Sequence, residues 1–161
     1  MSKKPAKKPT VADAQLILHL YELRREPEMR KARNWWLVNF WPESADDVMN
    51  LGMKMGTQEN NWLRQVSGYW NLAASLVEHG TLNAEMFLEP SFSGEMFFIF
   101  AKLRPFLKEL RVKMNNPWMY ASVENVINST KQSREFLKYM EGNLANRRKA
   151  MAEAAKIAKA S

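Results

Sequence analysis

TQENNWLRQVSGYWNLAASLVEHG, residues 57–80, is the stretch whose reading decides the fold. Apolar side chains fall at Trp62, Val66, Tyr69, Trp70, Ala73, Leu76 and Val77. That spacing lines one face of a helix. Asn60, Arg64, Ser67, Asn71, Ser75 and Glu78 take the opposite side. Thr57 suits the N-cap, where its hydroxyl accepts a free first-turn N–H. Gly80 suits the left-handed position just past the end. Gly68 sits mid-helix, where glycine costs about 1 kcal/mol relative to alanine. Close approach by a second helix is the expected return.

The flanking sequence repeats the pattern. Thr10 with Asp13 opens a first helix whose stripe is Leu16, Ile17, Leu20 and Leu23. Pro27 starts a second, running to about Trp41 ahead of Pro42. Ser44 and Asp47 form a capping box for a third. Thr81 to Glu89 reads as a short helical turn ending before Pro90. Ser91, Ser93 and Gly94 read as a loop before a helix over 94–114. Its EMFFIFA start is apolar all round, and Pro105 lies in its interior. Asn115-Asn116-Pro117 reads as a turn, with Pro117 restarting a helix through Trp118. Arg111 and Glu124 flank that turn, and their placement predicts an ion pair across it. Phe136, Leu137, Met140 and Leu144 give the last stripe. The expectation is an all-α, irregular bundle of five to seven helices with flexible basic termini.

The chain has 161 residues, 46% of them hydrophobic, which bounds it to one domain with a substantial core. It has no cysteine, so disulfides and thiolate sites are excluded, and a reducing, cytoplasmic setting is expected. The net charge of +7 is unevenly spread. Lys3, Lys4, Lys7 and Lys8 carry it at one end. Arg147, Arg148, Lys149, Lys156 and Lys159, against Glu153, carry it at the other. Residues 10–146 are close to neutral. This divides the chain into a disordered basic arm (1–9), a helical domain (10–146) and a basic, alanine-rich helix or tail (147–161). No apolar run approaches the roughly 20 residues of a membrane span.

Chemistry is sparse. Neither phosphate-cradling glycine motif is present, nor H-E-x-x-H, nor G-x-S-x-G. His19 and His79 are the only histidines, too few for a zinc site without help. No catalytic, cofactor or metal residue is assigned. Trp35 and Trp36, with Arg30 and Arg33 about one turn earlier, interleave aromatic and basic residues in a way that suits stacking or partner contact. Aromatics at helical spacing also suit a core. Glu22, Glu78, Arg64 and Arg111 are the groups whose convergence would signal an enzyme.

Tyr69, Trp70, Gly80, Leu82, Phe87, Phe98, Pro105 and Arg111 mark an aromatic helix ending in Gly, a short turn, then a Pro-containing helix ending in Arg. Across residues 62–127 this resembles a family of small, uncharacterised bacterial α-helical proteins. The resemblance implies a helical fold and no particular activity. The leading expectation is a non-catalytic interaction or regulatory module, with a protein partner or a second copy. The alternative is non-specific nucleic-acid binding through the basic ends.

That alternative makes a quantitative prediction. If one end neutralises four phosphates, log affinity for duplex DNA falls against log salt with a slope of about −3.6; both ends together give about −7. Filter binding over a salt series reads the slope. A flat dependence would remove the alternative.

Overall fold

The computed structural model describes residues 8–160. Among them are eight helices and no strand: α1 (Val11–Leu23), α2 (Pro27–Val38), α3 (Ala45–Met53), α4 (Gln58–Glu78), α5 (Ala84–Phe87), α6 (Pro90–Lys113), α7 (Ala121–Asn128) and α8 (Lys131–Ala160). The all-α class holds; the helix number exceeds the five to seven expected, because the turn after Thr81 closes into α5.

Helix α4 is the shared wall. α2 packs along it, α7 packs against it, and α3 bridges it to α6. α8 lies on α6 and α7. Val66, Trp70, Ala73 and Ala74 of α4 are buried and belong with Phe97, Phe100 and Leu103 of α6 to one continuous core. The α4 ends follow the sequence. The Thr57 side chain accepts from the Asn60 amide. Gly80, at φ +72°, turns the chain so that Gly80 and Thr81 donate back to the carbonyls of Val77 and Leu76.

Four expectations are corrected. α6 starts at Pro90, not Gly94: Glu89 precedes a proline whose fixed φ suits the first helical position, and Ser93 donates back to the Glu89 carbonyl. α2 ends at Val38, short of Trp41. Pro117 does not restart a helix. The chain turns through 117–120, Tyr120 takes φ +56°, and α7 begins only at Ala121, leaving Trp118 78% exposed. Leu23 is exposed, since α1 buries only Asp13 and Leu20 fully.

No helix crosses Gly68 either. It is exposed, and a Cβ built there meets nothing within 4 Å. Gly68→Ala therefore removes backbone freedom from the unfolded chain without a clash. It is expected to stabilise by about 0.5–1 kcal/mol, measured as a higher urea midpoint at unchanged m-value.

Candidate functional site

A helix ends with carbonyls that have no partner inside it. In this fold, side chains from distant elements supply several of those partners. At the end of α2, both Asn39 and Phe40 amides donate to the Trp35 carbonyl, which leaves the Trp36 and Phe40 carbonyls open. Lys102 of α6 reaches them, its Nζ 2.6 Å from Trp36 O and 2.7 Å from Phe40 O. Lys102 is only 1% exposed. Its ammonium also sits 3.8 Å from the Trp41 ring centroid and 4.7 Å from that of Phe98. Burial, reinforced by Arg147 and Arg148 nearby, pushes Lys102 down to about 7.

At the end of α3, Asn60 donates to the carbonyls of Leu51 and Gly52. Asn60 is fully buried, not on the wet face of α4. At the end of α1, Arg33 donates to Arg24 O while its Nε binds Glu95 at 2.8 Å. Glu95 also lies 3.5 Å from the Arg24 guanidinium and accepts from the Trp70 indole. Arg24 in turn donates to Phe92 O and lies over the Trp70 ring. This buried ionic knot joins α1, α2, α4 and α6, with the Arg24 Nε left as its one buried donor without a hydrogen bond.

The main open space is a cleft of about 670 Å³ between α3, α4, α6 and the 114–120 turn. Leu103 and Leu110 form its floor, and Val48, Gly52 and Leu63 its walls. Met55, Met114, Met119 and Trp118 surround the mouth. Arg64, Ser67, Asn71, Asn116, Tyr120 and Ser122 supply the polar atoms. The turn is held firmly. Arg111 donates twice to Met119 O, at 3.0 and 2.9 Å, and pairs with Glu124 at 2.7 Å, as the sequence predicts. Tyr120 keeps a left-handed backbone that a bulky residue avoids, a conformation that persists only where its surroundings enforce it. Its hydroxyl makes a short hydrogen bond with Ser67. Burial raises the Tyr120 phenol above its ordinary range, so it stays neutral.

The residues singled out from sequence disperse. Lys3, Lys4 and Lys7 lie outside the described residues; Lys8 is exposed. Trp36 is fully buried and touches Phe40 edge-on, so it belongs to the core rather than to a stacking surface. Trp35 is half-buried and stacked on Phe40. Arg33 is committed to Glu95, which leaves Arg30 exposed alone. Arg147 and Arg148 are not part of a loose tail. α8 runs unbroken past Asn146, Arg148 donates to Pro42 O at 2.8 Å, and both guanidinium groups lie near the Trp41 ring. Lys149 is exposed. Of Glu22, Glu78, Arg64 and Arg111, only Arg64 lines the cleft. Glu78 accepts from Ser122 and Asn125, which lowers its carboxyl.

Sequence reasoning missed Lys102, Glu95 and Asn60. The signal for the first two was present: single charges inside the apolar run 95–103, where a charge must find a buried partner. Asn60 carried no comparable mark.

Comparison with known families places residues 9–130 in a domain of unknown function, DUF4760, and the chain belongs to that family. The match spans the resemblance seen over residues 62–127. No curated protein and no solved structure matches the chain.

Lys102 yields a pH prediction. Its folded value lies below the ordinary 10.5, so between about pH 7 and 10.5 the unfolded chain holds more protons. The cost of burying the charge is full below about pH 7 and is relieved as pH rises through that window. Lys102 therefore makes stability climb by up to about 1.4 kcal/mol per pH unit there. Urea unfolding of the wild type and of Lys102→Met, taken from pH 6 to 10, isolates the contribution as the difference. Parallel curves would overturn it.

Proposed function

We propose that the protein is a non-catalytic binding module whose cleft takes a small ligand with an apolar body and an anionic head. The observation that carries this reading is the cleft lining. Its volume falls in the ~300–1,000 Å³ range of small-molecule sites, and its floor is apolar. Its one charged residue is Arg64, which has no carboxylate within 4 Å among the described residues. Arg64 Nη1 contacts only the Met55 sulfur, 3.8 Å away. An arriving carboxylate gains that guanidinium without displacing a partner. The methionines at the mouth can adapt to ligand shape, since the thioether chain is flexible and polarisable. The polar lining consists of amides, hydroxyls and a guanidinium. Ser67 has Tyr120 and the Leu63 carbonyl as neighbours rather than a general base. That supports binding over chemistry.

A second reading, nucleic-acid binding through the basic ends, is supported by Lys149, Lys156 and Lys159, all exposed on α8. Arg147 and Arg148, drawn in toward Trp41, support it less.

Decanoate and decanol distinguish the first reading. Decanoate is expected to shift the methyl NMR signals of Met114 and Met119 saturably, and to bind about tenfold or more tightly than decanol. Arg64→Gln should abolish that preference. Gly52→Leu should weaken both ligands, because Gly52 lines the cleft and a Cβ there already touches Met114 Cε at 3.6 Å, so a leucine must occupy cleft volume. Ligand shifts that survive Gly52→Leu would place binding elsewhere and overturn the reading.

A further inference from the structure

Three cations gather around one indole where α6 meets α8. The Trp41 ring centroid lies 3.8 Å from Lys102 Nζ, 5.2 Å from the Arg147 guanidinium carbon and 5.5 Å from that of Arg148. Among the described residues none of the three has a carboxylate within 4 Å. Like charges so close repel one another, and the negative face of the indole offsets only part of the repulsion. The arginines are the open members of the cluster: Arg147 is exposed and Arg148 half-buried, while Lys102 is held inside by two carbonyls. Lys102 and Arg148 both line a depression of about 230 Å³ closed by Ala101, Pro105 and Leu144. Glu141 is the one acid in that lining, and it is already bound to Arg104.

The guanidinium donors are underused. Arg148 donates to Pro42 O, and its fork offers five N–H groups. The Arg147 side chain makes no hydrogen bond among the described residues. Planar guanidinium forks match phosphate oxygens two at a time. Pro105 and Arg148 also line a second depression, about 580 Å³, whose surface includes Phe106, Met151 and Ala155, with Glu43 among its lining residues. One arginine thus touches two neighbouring spaces, one cationic and one mainly apolar.

We propose that this junction binds a phosphate monoester. The phosphate sits in the smaller depression against Arg148, in the field of Lys102 and of Arg147, which lies near the same Trp41 ring. The organic part lies along Phe106 and Met151. The site is independent of the cleft and of any ligand bound there. Its anion offsets a cluster that has no carboxylate within 4 Å among the described residues, and it adds to the tie between α8 and the segment following α2.

The test uses the full chain with inorganic phosphate and phenyl phosphate, read by calorimetry. Both are expected to bind at one site, phenyl phosphate the more tightly, with Phe106→Ala narrowing the difference. Arg148→Gln should weaken both by about tenfold or more. Arg148 also holds Pro42, so Arg147→Gln, at an exposed position, provides a second variant that leaves that bond in place. Lys149→Gln removes the same charge one residue on and should change affinity by less than about twofold. No saturable binding to the wild type would overturn the proposal. So would equal losses in all three glutamine variants, which would reveal only the diffuse field of the helix. Duplex DNA that displaces phenyl phosphate at a lower phosphate concentration than the ester itself requires would overturn the monoester and assign the junction to a polymer backbone.

Discussion

Two carbonyl oxygens at the end of α2 hold the buried ammonium of Lys102, and much of the architecture depends on that arrangement. An unpaired charge in a core is prohibitively costly. The carbonyl end of a helix is a place where a cation is welcome, because the partial negative charge of the helix dipole adds to the hydrogen bonds. Lys102 therefore fixes α6 against α2 by an interaction with direction, where apolar packing alone would allow sliding. The same logic recurs with Asn60 at the end of α3 and Arg33 at the end of α1. At these three ends the closure comes from another helix, and each closure is also a tertiary tie.

Glu95 makes the complementary case. It is a buried acid, and its neighbours Arg24, Arg33 and Trp70 come from three different segments. Such a knot adds little net stability compared with apolar replacements of the same shape, but breaking it by removing one member leaves buried charges stranded. Its effect is to specify one arrangement of α1, α2, α4 and α6. The aromatic rings around it, Trp70, Phe92 and Tyr21, surround the Arg24 guanidinium and keep water away from the ion pairs.

Periodicity made the helices legible, and α4 matched its sequence reading at both caps. Patterns that depend on distant partners were not legible. Asn60 lies within the polar stripe of α4 when only that helix is considered; its burial follows from where α3 happens to end. Pro117 carries a helix-start signal, yet the local turn at Asn116, whose side chain accepts from the Trp118 amide, and the ties from Arg111 to Met119 and from Tyr120 to Ser67 delay the helix to Ala121. Arg148 reads as one more tail charge until Pro42, more than a hundred residues earlier, is brought beside it. The ion pair of Arg111 with Glu124 was within reach because its members flank a short turn. The cleft was not, since its walls come from four separate segments.

The length of α8 has a mechanical consequence. Thirty residues of helix extend about 45 Å, and contacts with the body run at least as far as Arg148, with Met151 and Ala155 lining the same depression as Phe106. Its fulcrum is the Trp41–Pro42 segment, directly downstream of the carbonyls that Lys102 grips. The exposed last turn beyond Ala155 is then a lever arm. A force applied there would reach the segment between α2 and α3 as torque, trading a broad displacement at the tip for a small one at the fulcrum.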